Sequence, residues 1–262
     1  MDFGEWINML PLWAVFLLTL AICIGAVEAG TVLARISLRN KKEKEPEAPL
    51  GSMVGSLLGL LAFILAFTFG ITANRFDARK QLVLEEANAI GTTYLRAGLL
   101  PPTQGLESRR LLREYTDLRL NGTTERIEEV LKKSEEIHAQ LWSQAKSLVQ
   151  ADMDSEIRSL FIATLNELID LHQSRMTVGL QYRIPGTVWL AVYLLSLLAM
   201  LAVGYQVGMS GSRRTYGTPV LAAAYSLVIL MIADIDRPSA GLIRVSQQPI
   251  ADVQQMMLRD SP

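Results

Sequence analysis

The sequence predicts an all-α membrane protein with four transmembrane helices and a helical soluble domain between the second and third of them. Half of the 262 residues are hydrophobic, yet the chain carries 25 basic and 26 acidic side chains. The apolar residues must therefore be concentrated in blocks. Four blocks are long enough, or nearly long enough, to cross a hydrocarbon core, which takes about 20 residues of helix. No stretch of the sequence alternates apolar and polar residues as a half-buried strand does.

The predicted spans lie in pairs on either side of the soluble domain. They are Leu12–Ala34, Gly51–Ala73, Thr187–Gly208 and Thr218–Ala233. The first has no basic residue before it and no convincing cleavage site after it, so we expect a retained span rather than a removed signal peptide. The resulting boundaries are 1–76 for the first two spans, 77–184 for the soluble domain, 185–236 for the last two spans and 237–262 for a C-terminal segment.

The soluble domain has helical periodicity. Apolar residues recur at helical spacing in Arg126–Gln150 and in Ser155–Gly179. Turn residues occupy Leu99–Gly105 and Leu120–Glu125, and the second of these offers a Thr cap before acidic residues. We predict an antiparallel helical bundle whose first and last helices are continuous with the membrane spans.

Two observations support this continuity. No proline occurs between Gly51 and Gly98, so the second span and the first soluble helix can form one rod of roughly 70 Å. At the other end of the domain, Pro185 stands at the predicted membrane boundary, where proline is tolerated in the first turn of a helix.

One face of the second span consists of small residues in an 11-residue repeat, a period that stays on one face of a nearly straight helix. These residues are Gly51, Gly55, Gly59, Ala62, Ala66, Gly70 and Ala73. Small residues let another helix approach closely, and close packing drives helix association in lipid. We predict a helix-packing seam at Gly51, Gly55, Ala62, Ala66 and Gly70. Phe63 and Phe67 lie beside the seam, one turn apart. Aromatic residues in a membrane helix are typical of packing against other spans or lipid.

Charged residues follow the second and fourth spans, and the span count puts both exits on the same membrane face. They are Arg75, Asp77, Arg79 and Lys80 after the second span, and Asp234, Asp236 and Arg237 around the end of the fourth. Ionisable groups at such depth either pair with one another or serve an ion path. Mutual pairs such as Arg75–Asp236 or Asp77–Arg237 and a charged pore vestibule are both consistent with this cluster.

Enzymatic, metal-binding and nucleic-acid-binding functions find little support. His138 and His172 lack ligand spacing, so we expect a surface or interhelical role for them rather than metal binding. Cys23 is the only cysteine, which excludes a disulfide within one chain. The balanced charge gives no sign of a nucleic-acid partner. We predict no enzyme activity and no cofactor.

Residues 65–79, LAFTFGITANRFDAR, resemble the second transmembrane helix of bestrophin-type channels. In those channels an aromatic neck residue precedes an arginine by eight positions, as Phe67 precedes Arg75 here, and the match continues through Phe76, Asp77 and Arg79. The whole chain is still more similar to the bacterial bestrophin-like domain family of unassigned function. That similarity runs from RFDARKQLVLEEANAIGTTYLR through LNELIDLHQSR to IADIDRPSAGLIRVSQQP.

The channel resemblance implies a homopentamer in membrane lipid whose central pore, lined by the second span, passes small inorganic ions. The apolar neck of the family falls on Gly59, Phe63 and Phe67, and the glycine shortens it. The acidic run that binds calcium in the animal channels is absent, so we expect no calcium activation. A ring of Arg75 and Arg79 would favour anions and a ring of Asp77 would favour cations. The alternative function is a non-conducting membrane-anchored sensor or scaffold whose helical domain binds a partner.

The orientation in the cell (inner) membrane has two conflicting indicators. The first and third connections contain a set of basic residues that the N-terminal segment lacks: Arg35, Arg39, Lys41, Lys42, Lys44, Arg213 and Arg214. Short basic loops stay in the cytoplasm, which would place both termini and the helical domain outside. The bestrophin resemblance implies the reverse. We slightly favour an external domain, which an accessibility label at Ser134 would test.

Overall fold

The computed structural model describes residues 3–40, 50–122, 127–150, 155–210, 217–238 and 241–260, and all regular structure in these ranges is helical. The all-α prediction is confirmed. The helices are α1 (Phe3–Met9), α2 (Leu12–Asn40), α3 (Leu50–Ala97), α4 (Pro102–Asn121), α5 (Ile127–Gln150), α6 (Ser155–Met176), α7 (Gly186–Met209), α8 (Gly217–Asp236) and α9 (Gln248–Arg259). The chain folds into two compact units: unit 1 comprises 1–76 and 183–244, and unit 2 comprises 77–182 and 245–262.

The described residues contain four helical segments long and apolar enough to cross a membrane, and each contains one predicted span. The candidate spans lie on α2, α3, α7 and α8. Helix α3 has 48 residues and continues well beyond the predicted end of the second span at Ala73. Because no proline interrupts it, the second span and the first soluble helix are one helix, as predicted.

The last soluble helix is not continuous with the third span, and that prediction was wrong. A π-helical turn follows α6, and the non-helical residues 182–185 separate it from α7. Pro185 is the residue before α7 rather than part of its first turn. Proline disfavours helical conformation in the preceding residue, Ile184. The Ile184 N–H instead donates to the Asp236 carboxylate, with its nitrogen 3.2 Å from Oδ1.

In unit 1, α2 packs closely on α7 because glycines remove the side chains at their crossing. A Cβ atom added to Gly30 would lie 2.1 Å from the carbonyl oxygen of Leu201, and one added to Gly208 would lie 2.6 Å from the Ala34 Cβ. This contact was not predicted from the sequence. Its signal is the spacing of Gly204 and Gly208, four residues apart in an apolar run, a motif of closely packed membrane helices.

In unit 2, helices α4, α5, α6 and α9 share an apolar core with the C-terminal half of α3. Its fully buried members include Ile90, Tyr94, Leu111, Leu112, Tyr115, Leu141, Leu148, Phe161, Leu165 and Leu168. Helix α9 was not predicted from the sequence. Its signal is present in Ile250, Val253 and Met257, which recur at helical spacing after Pro249 near the helix start. The Thr cap predicted within Leu120–Glu125 falls outside the described residues.

Candidate functional site

The part of α3 that belongs to unit 1 has one buried face. Val54, Leu61, Leu65, Thr68 and Thr72 lie on it, at helical spacing. The two threonines do not need polar neighbours, because each hydroxyl donates to a carbonyl oxygen of its own helix, three or four residues back. This face anchors α3 in its own chain.

The predicted seam and neck lie on the exposed side of the same helix. Gly51, Gly55, Gly59, Ala62 and Ala66 are exposed, Gly70 is half-buried, and Phe63 and Phe67 are 66% and 62% exposed. Cβ atoms added to Gly55, Gly59 or Gly70 would meet no atom of the described residues within 4 Å. No helix of the described residues therefore packs on α3 at Gly55, Gly59 or Gly70.

Two of the charged residues at the predicted membrane boundary form an ion pair. Arg75 Nη1 lies 3.8 Å from Asp236 Oδ1, which is one of the two pairs considered from the sequence. The Asp236 side chain is 1% exposed, whereas that of Arg75 is 27% exposed. The remaining predicted residues of the second span, Asp77 and Arg79, belong to unit 2, where Asp77 is exposed and Arg79 is buried.

Asp234 organises the segment that follows α8. Its carboxylate oxygens accept hydrogen bonds from the backbone N–H groups of Leu242, at 2.6 Å, and Ile243, at 3.1 Å. A Cβ atom on Gly241 would lie 2.4 Å from Asp234 Oδ1, so a side chain at position 241 would displace this contact. Asp234 is buried and acts as a structural acceptor in unit 1.

Arg237 holds the end of the N-terminal helix. Its Nη2 donates to the carbonyl oxygens of Ile7, at 3.0 Å, and Leu10, at 2.6 Å. These carbonyls belong to the last turn of α1 and the residue after it, where backbone acceptors lack helical partners. The buried guanidinium therefore supplies the cap that the helix itself cannot provide.

A second buried polar cluster lies in unit 2 and was not predicted as a site. Glu86 accepts a hydrogen bond from the Tyr115 hydroxyl and is paired with Arg119 and Arg175. Burial opposes ionisation of Glu86, but the two guanidinium groups and the hydrogen bonds hold its pKa below the ordinary value. Burial and the Glu86 charge raise the pKa of Tyr115 well above its ordinary value. The sequence signal was weak, because these residues lie far apart along the chain.

His138 and His172 belong to this second cluster. Both are buried between helices, so the interhelical role is observed and the surface role is not. Their ring centroids are 4.9 Å apart in an edge-to-face arrangement. Within the described part of the chain, no group of three or more His, Cys, Asp or Glu side chains is placed to hold a metal ion.

A sequence model of the Bestrophin-like domain matches residues 12–250. The chain belongs to the Bestrophin-like family. The resemblance noted from the sequence is thus confirmed over almost the whole length of this Bestrophin-like chain. Among curated protein sequences, none matches it.

Solved structures show the same fold for this Bestrophin-like chain. A crystal structure of a bacterial bestrophin homolog from Klebsiella pneumoniae, carrying one substitution, matches with a TM-score of 0.63 at 17% identity, covering 94% of this chain and 97% of that one. A second variant matches with a TM-score of 0.66 at 15% identity, covering 95% and 98%. A structure solved by Zn-SAD phasing matches with a TM-score of 0.65 at 16% identity, covering 94% and 96%.

Proposed function

We propose that this Bestrophin-like chain forms a homo-oligomeric ion channel, a pentamer by its resemblance to bestrophin-type channels, in which α3 lines the pore. The observation that carries the proposal is the exposed face of α3. Its glycines at 55, 59 and 70 have open space beside them among the described residues, and Phe63 and Phe67 are largely exposed. The opposite face of the same helix is buried in the chain.

The small residues on this face suit contact between copies. In lipid, apolar side chains gain little from leaving their surroundings, so helices associate where small residues allow close van der Waals packing. A second copy of α3 is the occupant that family membership supports, because all copies then present the same face to one axis. The face becomes buried only in the assembly.

The two phenylalanines suit a constriction on that axis. A ring of aromatic side chains excludes water when it is narrow, and an ion that crosses it must shed part of its hydration shell. Gly59, one turn before Phe63, adds no bulk to such a ring. We therefore assign the neck to Phe63 and Phe67, shorter than one built from three bulky residues.

Charged groups lie two turns beyond the neck. Arg75 follows Phe67 by eight residues, or about 12 Å along a helix. Its guanidinium is partly exposed, whereas its partner Asp236 is buried. In a symmetric assembly the copies of Arg75 would form a ring at the pore mouth. Each guanidinium would be positioned by Asp236, whose carboxylate also accepts the Ile184 N–H.

Ion flux and mass test the proposal together. The purified protein is placed in liposomes for measurement of anion and cation flux, and its mass is measured in mild detergent and in lipid. We expect an oligomer that passes small ions. A monomer in both environments contradicts the assembly and the pore. An oligomer that passes no ion favours the alternative of a membrane-anchored sensor or scaffold.

A further inference from the structure

Both histidines of the chain lie in one buried cluster of unit 2. His138 is on α5 and His172 is on α6, and they are 6% and 4% exposed. Their rings meet edge to face, with centroids 4.9 Å apart. Tyr115 of α4 contacts both rings, with centroid distances of 4.8 Å to His138 and 6.1 Å to His172. The pair therefore stands where α4, α5 and α6 meet.

The hydrogen bonds of this cluster fix the tautomer of His172 and give His138 Nε2 no partner among the described residues. Tyr115 donates its single hydroxyl hydrogen to Glu86, so its oxygen accepts from His172 Nδ1, which lies 3.1 Å away. A neutral His172 with hydrogen on Nδ1 can gain a proton only on Nε2. His138 Nε2 is buried and has no hydrogen-bond partner among the described residues.

The charges around the pair also oppose protonation. One carboxylate faces two guanidinium groups, so the cluster already carries an excess of positive charge. Gln247 from the C-terminal segment adds a neutral amide, which accepts from Arg175. The charged and titratable groups facing the pair are Glu86 of α3, Tyr115 and Arg119 of α4, and Arg175 of α6.

We propose that the His138–His172 pair is an acid-sensitive latch of unit 2, and that protonation of the pair releases α5 from α4 and α6. An imidazolium at this place would add a third positive charge to those of Arg119 and Arg175, without a free carboxylate to pair with it. Separation of α5 exposes both rings to water and removes this conflict. The latch operates whether or not the chain conducts ions.

The direction of the pH effect follows from linkage. Burial, followed by nearby positive charge, lowers the pKa of both histidines from 6.5 to about 4 in the closed unit, although Glu86 acts in the opposite direction. The open state therefore binds more protons between these values, so the contribution of the pair to closure is fully present above pH 6.5 and is lost as the pH falls toward 4. Each histidine acting alone shifts the equilibrium toward opening by about thirtyfold between pH 8 and pH 5.

Thiol labelling of the full-length protein tests the latch. Ala145 of α5 is 2% exposed, in the core of unit 2, whereas Ser143 on the same helix is exposed. Ala145→Cys and Ser143→Cys are each made with Cys23→Ala, and the ratio of their labelling rates is followed from pH 8 to pH 5. Comparing two thiols on one helix removes the pH dependence of the reagent. We expect the ratio to rise at least tenfold, and an unchanged ratio overturns the proposal.

The double variant His138→Gln with His172→Asn assigns any rise to the pair. Both substitutions remove the titration, and the Asn amide keeps a donor near the place of His172 Nδ1. We expect the ratio of labelling rates to stay flat in this background. An equal rise in the double variant overturns the proposal, because another group then drives the opening.

Magnetic resonance of histidine-labelled parent protein provides a measurement without variants at the pair. The chain contributes two histidine signals, because it has two histidines. We expect neither to titrate near pH 6.5 while α5 remains protected, and both to change together with the labelling of Ala145→Cys. Titration near pH 6.5 without labelling overturns the latch.

Discussion

Gly204 of α7 lies directly against the backbone of Val27 in α2, since a Cβ atom at position 204 would lie 2.0 Å from the Val27 carbonyl oxygen. Real Cβ atoms essentially never come within 3.0 Å of such an atom, so this crossing requires glycine. Gly55 of α3 is the opposite case, because a Cβ atom there meets no described atom within 4 Å. Glycine thus has two roles here: it joins helices within the protomer and leaves a face of α3 open.

These two roles predict different effects of substitution. Gly204→Ala forces the backbones of α2 and α7 apart and should destabilise the protomer by about 1–3 kcal/mol or more, the usual cost of overpacking. Gly55→Leu fits the open space of the protomer but wedges apart a helix from another copy, so it should weaken the oligomer. Thermal unfolding and mass measurement in detergent distinguish the two. Equal loss of protomer stability in both variants, with unchanged mass, would show that the α3 face has no role in assembly.

Asp236 should matter more as an acceptor for the backbone than as an ion-pair partner. Asp236→Ala leaves the buried Ile184 N–H without its carboxylate acceptor, which costs about 1–3 kcal/mol. Asp236→Asn keeps an acceptor oxygen and should cost less. Arg75→Gln removes a partly exposed pair at 3.8 Å and should cost about 0–1 kcal/mol. Unfolding in detergent checks this order, and an Arg75→Gln effect as large as that of Asp236→Ala contradicts it.

The spans and the length of α3 could be predicted because they depend on residue type alone. Long apolar blocks identify membrane helices, and the absence of proline after Gly51 allows one helix to continue to Ala97. The same information was present for Gly204 and Gly208, whose spacing indicates close packing. The contact between α2 and α7 was nevertheless not predicted, because the predicted helix-packing seam used only the small residues of the second span.

The roles of Asp234 and Arg237 could not be predicted, because their partners are backbone atoms. Asp234 accepts from two backbone N–H groups, and Arg237 donates to the carbonyls of Ile7 and Leu10. Every residue carries such groups, so no pattern of residue types marks them as partners. Charges at the end of a span are equally typical of a vestibule and of a structural contact.

Among the carboxylates of unit 2, substitution of Glu86 should cause the largest loss of stability. Glu86→Gln leaves Arg119 and Arg175 without their buried counter-charge, and breaking such a pair costs about 3–5 kcal/mol. The neighbouring Glu85 accepts from Gln81 at an exposed site, so Glu85→Gln should change stability by less than about 0.5 kcal/mol. Denaturant unfolding followed by the fluorescence of a tryptophan in unit 2 measures both variants.

The effect of Glu86→Gln should depend on pH. Because the folded protein holds the pKa of Glu86 below its ordinary value of 4.5, the charged form stabilises unit 2 above pH 4.5. This contribution is lost as the pH falls through the lower folded value, so the parent and the variant should converge in acid. A difference in unfolding free energy that persists there would show that Glu86 acts through its shape rather than its charge.

The side of the membrane that holds unit 2 is tested by labelling intact cells. Ser134 is buried and its hydroxyl donates to the Val130 carbonyl, so a label there would not report accessibility. Ser143 is exposed and replaces it. The excess of basic residues in the first and third connections predicts that Ser143→Cys, with Cys23→Ala, reacts with an impermeant reagent from outside. Reaction only after the cytoplasm is opened contradicts that orientation.

Phe67→Ala should increase ion flux, because it removes an exposed aromatic side chain from the proposed neck and widens a constriction that excludes water. Phe69→Ala is the matched control on the same helix. Phe69 is half-buried and packs against the core of unit 1, so its removal should lower stability, by less than the roughly 3–5 kcal/mol of a fully buried phenylalanine, and leave flux per folded channel unchanged. Liposome flux and thermal unfolding measured on the same preparations separate these effects. If Phe67→Ala leaves the flux of a conducting parent unchanged, Phe67 does not form the neck, and the exposed face of α3 is better explained by a sensor or scaffold that binds a partner there.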